Sequence, residues 1–289
     1  MLLELKTNDN TSSKLSSTDV QGALYEIHPS IISKTTCPDG YLCKKRKSLP
    51  EVGNYVKMIP SLTSYTLDTS KTGYTSTKTI NPSELTLWRV LKVNSDGTIE
   101  MISKYTSSTY VNFSGKAGYQ NFVGYLNELA SKYENSKYTS GSRYVSYNGQ
   151  TEYITDTSKI DSTTAPWTSS TGNSTIESLG GGDTLYQSDY DLMQAVFSTV
   201  VAQKVGTTST VSYWIASRNY LYSSANSWSL NVRSISTVGS LSNWYMYNYN
   251  NGNFKVYSSS SFLRPIVILK SGITYTHALG TSDYPFVLN

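Results

Sequence analysis

The residue types that do most of the chemistry in proteins are scarce here, and their positions exclude several mechanisms. His28 and His277 are the two histidines, and neither falls in the body of the chain. A histidine-based nucleophilic triad or general base therefore has nothing to build on. The two cysteines sit together in "CPDGYLC", where the Pro-Asp-Gly turn brings Cys37 and Cys43 close enough for a small disulfide loop. Such a loop favours an oxidising location, and no neighbouring ligand pair completes a metal site. No thiol follows Cys43, which removes a cysteine nucleophile and a thiolate metal centre from the remainder. Neither a metal nor a cofactor is expected.

Carboxylates are the surviving catalytic option. Glu128, Glu134, Glu152, Asp156, Asp161, Glu177, Asp183, Asp189 and Asp191 would be the pool for a glycosidase-type pair, but no spacing among them selects two on one face. "GGGD" at 180–183 lacks the Lys-Ser/Thr of a phosphate loop and reads as a turn.

Amides and rings are abundant instead. From Asn219 to Ser261, 6 Tyr, 8 Asn and 12 Ser fill 26 of 43 positions. That is the composition of a recognition surface, in which rigid amphipathic rings supply area and small polar groups supply adaptable hydrogen bonds. The candidate ligand-binding residues are Tyr220, Tyr222, Asn226, Trp228, Asn231, Asn243, Tyr245, Tyr247, Tyr249, Asn251, Asn253 and Tyr257. In "NWYMYNYN" strict alternation puts Tyr245, Tyr247 and Tyr249 on one face and Trp244, Met246 and Asn248 on the other. Either face could be the buried one. Trp244 with Met246 makes a core pair that would leave the tyrosines outward, and tyrosines covered by the irregular 134–187 segment are the equal alternative.

The elements that would position these residues can be read from patterning. At 289 residues the chain can bury a sizeable core. Charged residues are 15% of it and the net charge is +4, too mild to imply nucleic acid or a membrane surface. Residues 1–50 form an N-terminal extension with a short helix carrying Val20, Leu24 and Ile27 on one stripe, then the cysteine loop and the basic run Lys44 to Lys47. That helix either packs on its own domain or makes a homo-oligomer contact. The opening "MLLELKTNDN" is too short an apolar run for a secretory signal or a membrane span. Export through a segment outside this chain, or release as part of a particle, would reconcile that with the disulfide.

Residues 51–289 read as one domain. "GNYVKMI" is its first strand, and "LWRVLKV" and "GTIEMIS" flank an Asp96-Gly97 hairpin signal. Tyr119, Phe122, Leu126, Leu129 and Tyr133 recur at helical spacing, and so do Leu192, Met193, Val196, Phe197 and Val200 behind a Ser188/Asp191 capping box. Between these helices lies a long irregular segment, 134–187, and after them a series of short strands.

Three motifs carry a resemblance. "LWRVLKVNSDGTIEMIS" at 87–103, "YWIASR" at 213–218 and "SFLRPIVIL" at 261–269 resemble, in order, an uncharacterised bacterial and phage family of C-type-lectin-like modules. Leu263 stands where that family has an aromatic residue, and Ala216-Ser217-Arg218 departs from its middle motif. The resemblance covers about 53–270. It implies an α+β, C-type-lectin-like fold, with small antiparallel sheets, two flanking helices and adjoining ends, in which Trp88, Trp214 and the Arg264-Pro265 strand are scaffold. The cysteines and histidine cluster of the formylglycine-generating and sulfoxide-synthase branches are missing, as are the motifs of the calcium-dependent lectins.

The 219–261 stretch is also similar to the mutable surface of variable proteins of diversity-generating retroelements, which use this fold. "LSSTDVQGALYEIH" is similar to a segment of phage tail fibres and Gram-positive surface proteins, and "GTSDYPFVLN" to an ending of gut Firmicutes surface proteins. Together these resemblances imply a non-enzymatic adhesin or receptor-binding protein, extracellular on a bacterial surface or phage virion, whose partner is a protein or glycan on a cell surface. The alternatives are a structural pilus, fibre or tail subunit, and a carbohydrate-active enzyme using paired carboxylates.

Overall fold

The computed structural model describes residues 47–133, 138, 187–276 and 278–289. The N-terminal helix, the Cys37–Cys43 loop, most of the basic run and nearly all of the long segment after Tyr133 lie outside the described residues.

The protein is a mixed α+β structure, mostly sheet. Its strands are β1 (Tyr55–Lys57), β2 (Tyr65–Thr66), β3 (Thr79–Ile80), β4 (Leu87–Val93), β5 (Ile99–Ser103), β6 (Tyr110–Ser114), β7 (Ala202–Gln203), β8 (Thr210–Val211) and β9 (Tyr213–Ser224). They continue with β10 (Ser227–Ile235), β11 (Leu241–Asn250), β12 (Asn253–Val256), β13 (Ser258–Phe262), β14 (Ile266–Leu269) and β15 (Phe286–Val287). The helices are α1 (Thr69–Thr72), α2 (Gly115–Ser131) and α3 (Gln187–Val196). A five-stranded sheet runs β14-β5-β4-β1-β15 and a six-stranded sheet runs β12-β11-β10-β9-β13-β6. β1 pairs in parallel with β15, so the two ends of the described chain adjoin.

Helix α2 forms where the sequence repeats apolar residues at helical spacing. Tyr119, Phe122, Leu126 and Leu129 are all buried on one of its faces, and Tyr133 is buried just beyond. That face lies on the six-stranded sheet. Phe122 meets Phe113 edge-on at 4.7 Å and Trp214 at 5.2 Å, and the Trp214 indole donates to the Val111 carbonyl at 2.9 Å. The large core between the sheets and α2 also takes Trp88, Val90, Met101 and Val267 from the five-stranded sheet. Trp88 donates its indole N–H to the Met58 carbonyl at 2.9 Å.

A second core joins the sheets at one end. Leu91, Ile102 and Ile266 come from the five-stranded sheet, Tyr213, Ile215 and Ile235 from the six-stranded one, and Met193 and Phe197 from α3 and the residue after it. Val90 and Leu91 are strand neighbours on opposite faces of the sheet and so serve different cores, and the register slips just after, between Val90 and Lys92. Arg264 clamps this junction, donating to the carbonyls of Ser103 and Val200 at 3.1 Å and to the Tyr213 hydroxyl at 3.0 Å. Trp88, Trp214 and Arg264 are thus buried and bonded as scaffold.

One expectation is corrected. The apolar repeat running to Val200 ends as helix at Val196, and Ser188 and Asp191 lie within α3 rather than at a cap. Val200 is buried all the same, because the chain after the helix stays against the second core.

Candidate functional site

Cross-strand pairs in an antiparallel sheet share a face, so the two faces of the six-stranded sheet can be read row by row. Toward α2, one row runs Tyr222, Trp228, Tyr249, Phe254 and the next Tyr220, Leu230, Tyr247, Val256. Their rings stack along the sheet: Trp228 lies 5.6 Å from Tyr247 and 5.7 Å from Tyr249, and Tyr247 lies 6.1 Å from Phe254. On the opposite, outer face, one row runs Leu221, Ser229, Asn248, Lys255, the next Asn219, Asn231, Tyr245, and the last Arg233, Asn243.

A bulge decides which tyrosine goes where. Leu230 pairs with Tyr247 and Asn231 pairs with Tyr245, which leaves Met246 as an extra residue. The inserted residue reverses the alternation, so Met246 and Tyr247 are both buried and Tyr245 turns outward. The expectation that Tyr245, Tyr247 and Tyr249 share a face is therefore corrected. So is the Trp244/Met246 core pair: Met246 is buried, whereas Trp244 is 42% exposed and donates to the Ser234 hydroxyl at 2.8 Å.

The twelve candidate positions divide accordingly. Tyr220, Trp228, Tyr247 and Tyr249 are buried in the core, and Tyr222 is half-buried against it; these are packing residues, not contact surface. Asn226, Asn251 and Asn253 are exposed at adjoining hairpin tips, where the Asn251 amide donates to the Asn226 carbonyl at 2.8 Å. Asn243 and Tyr245 are exposed on the outer face and Tyr257 is half-buried beside Tyr245, with ring centroids 5.7 Å apart. Asn231 is on the outer face but 1% exposed.

Sequence reasoning missed Lys255, Arg233, Asn219 and Asn248. The Lys255 ammonium lies 4.9 Å from the Tyr257 ring centroid, and the Arg233 Nε donates to Asn243 Oδ1 at 3.2 Å. Burial pulls the Arg233 guanidinium below its ordinary value, so its charge is held there at a cost. Asn231 Nδ2 donates to the Ser229 hydroxyl, while Asn219 Oδ1 and Asn231 Oδ1, both buried, have no hydrogen-bond partner among the described residues. A signal was available in the sequence: no Asp or Glu occurs between Asp191 and Asp283, a stretch that includes five of the six strands of this sheet. Its formal charges are all positive.

The carboxylates that can be placed have structural partners. Glu128 Oε2 accepts from Lys71 Nζ at 2.6 Å and Oε1 from the Tyr65 hydroxyl at 3.0 Å, tying α1 and β2 to α2. Partial burial opposes ionisation of Glu128, but these bonds and the Lys71 and Lys132 charges win and hold its carboxyl below the usual range. The same contact raises Lys71. Glu84 accepts from the Ser108 amide, Glu100 from Asn94, and Asp68 and Asp96 cap their own turns. Among the described residues, no three His, Cys, Asp or Glu side chains gather as a metal site, and no helix is long and apolar enough to cross a membrane. The candidate acids between Glu134 and Asp183 lie outside the described residues.

Comparison with family models, with characterised proteins and with solved structures finds no match for this chain.

Proposed function

We propose that this is a non-enzymatic recognition protein of C-type-lectin-like fold, extracellular on a bacterial surface or phage virion, that binds a protein or glycan on a cell surface. The observation that carries the reading is the division of labour within one sheet. Tyrosines and tryptophan on the α2 side build a rigid platform, and Tyr245, Tyr257, Lys255, Asn243 and Asn248 stand on its other side. Rings with few rotatable bonds on paired strands lose little entropy when a ligand arrives, which is the economy of a preorganised binding surface. The adjoining ends and the buried Trp88, Trp214 and Arg264 are in keeping with the fold. In this reading the variable positions of a diversified protein would be Asn243, Tyr245, Asn248, Lys255 and Tyr257 rather than the buried tyrosines.

The test is binding of the full chain to a glycan array and to a library of displayed surface proteins. A Tyr245→Ala, Tyr257→Ala double variant should lose at least tenfold in affinity for whatever target is found, with its melting temperature nearly unchanged. Undiminished binding would remove the outer face from the site.

A further inference from the structure

Strand β12 is the outermost strand of the six-stranded sheet, and all four of its residues are exposed. Its hairpin with β11 closes on the two-residue turn Asn251-Gly252, so Asn250 and Asn253 form the first hydrogen-bonded pair. Alternation then makes Asn248 and Lys255 the next, which directs the N–H and C=O of Phe254 and Val256 away from β11. Among the described residues no strand pairs with that outer edge. Phe254 and Val256 are also the exposed apolar side chains of the strand, at 58% and 54%. An edge with free backbone groups and apolar side chains is a template for another strand, and natural proteins usually blunt it.

The occupant can be narrowed by charge. Lys255 points to the outer face between Phe254 and Val256, and Lys116 approaches the Tyr247 ring at 5.0 Å on the α2 side. No carboxylate occurs anywhere in the strands of this sheet. A second copy of the chain fits badly. The antiparallel register that buries both Phe254 and Val256 places Lys255 directly opposite its own copy, and like charges so placed are destabilising. We propose that β12 accepts an extended acidic peptide as an added strand, with the peptide's apolar side chains against Phe254 and Val256 and its carboxylates alternating to the Lys255 side. This goes beyond the ligand-display reading of the outer face and adds a separate site at the sheet edge, whose partner class is an acidic polypeptide segment held by main-chain pairing.

The probes are a fluorescent alternating Val/Glu peptide of eight residues and its Val/Lys counterpart, titrated into the full chain and followed by anisotropy. The Val/Glu peptide should bind and the Val/Lys peptide should not. Lys255→Glu should invert that preference, with the Val/Glu affinity falling about tenfold. Phe254→Pro removes one outward N–H without touching the β11 ladder and should abolish binding, whereas Phe254→Ala, which keeps the N–H, should retain more of it. Thermal melts of the four proteins check that each folds.

No binding of either peptide overturns the proposal, and so does a Val/Glu affinity sensitive to Lys255→Glu but indifferent to Phe254→Pro, which would be anion attraction without strand pairing. Concentration-dependent dimerisation lost in Phe254→Pro would also overturn it, by giving the edge to a second copy. The Tyr245→Ala, Tyr257→Ala variant should bind the Val/Glu peptide normally. Failure at the edge and failure at the outer face are thus separate results.

Discussion

Two hairpins of this protein use nearly the same turn chemistry and come to opposite ends. The β4–β5 hairpin turns through Asp96 and Gly97, with Gly97 at φ 82°, and the Asp96 carboxylate accepts from the Thr98 amide and hydroxyl. The β11–β12 hairpin turns through Asn251 and Gly252 at φ 46° and 84°. Every residue of β5 is buried, because β14 covers its other edge and both faces meet core. Every residue of β12 is exposed, because it lies at a sheet edge. A turn therefore fixes which strands pair, and the neighbours a strand finds afterwards fix whether it becomes scaffold or surface.

The contrast would break most visibly in the scaffold. Trp214→Ala removes an indole that packs edge-on against Phe113 and Phe122 and donates to the Val111 carbonyl. Denaturant unfolding should show a loss of about 3–5 kcal/mol. A loss below about 1 kcal/mol would mean that the α2 side of the sheet is not the core. Next in size is the pair of tyrosines separated by the Met246 bulge. Tyr247→Ala should cost roughly 3 kcal/mol, since the ring is buried between Trp228 and Phe254, whereas Tyr245→Ala on the outer face should cost less than about 1 kcal/mol. Equal costs would place the two rings on one face and remove the bulge.

That bulge marks the limit of what could be read in advance. Strand β4, the Asp96-Gly97 hairpin and the buried stripe of α2 were legible because each depends on a local period or a turn residue. The side to which Tyr245 points depends on a single inserted residue and on a register between strands, and neither leaves a mark in local composition. For the same reason the tyrosine enrichment was half misleading. It records rings used as core, in place of aliphatics, together with rings used as surface. Lys255 and Arg233 were overlooked because a lone cation looks like ordinary solubility. They gain meaning only when the sheet is assembled and its lack of carboxylates is seen as one surface.

The two turns themselves offer a subtler comparison. An alanine at Gly97 or at Gly252 would have to adopt a left-handed backbone, costing about 1 kcal/mol at either site. No atom lies within 4 Å of a Cβ at Gly252, and at Gly97 the nearest is Ser271 Cβ at an ordinary 3.4 Å, so the local penalties should match. The consequences should differ. Gly97→Ala should lower global stability, since β5 is central to its sheet. Gly252→Ala should speed amide exchange in β12 with little change in the melting midpoint, because an edge strand can open by itself. Equal midpoints for the two variants would show that β12 is as integral as β5.

The smallest effect expected is the acid response of the Lys71–Glu128–Tyr65 contact, which braces α2 from the side away from the outer face. The folded protein holds the Glu128 carboxyl below its ordinary value, so the contribution is present above the unfolded carboxyl's pKa and is lost as pH falls through the folded one. Glu128 is about a third exposed, and solvent screening limits the contribution to roughly 0.5 kcal/mol. Melts between pH 6 and pH 3 should show a decline that is shallower in Glu128→Gln, with that variant also slightly less stable at pH 6. Because Glu128 touches α1 and β2 but neither strand of the β11–β12 hairpin, the same titration should leave the Tyr245–Tyr257 pair undisturbed. A parallel change in tyrosine fluorescence at that pair would show that the scaffold and the display surface are coupled rather than separately stable.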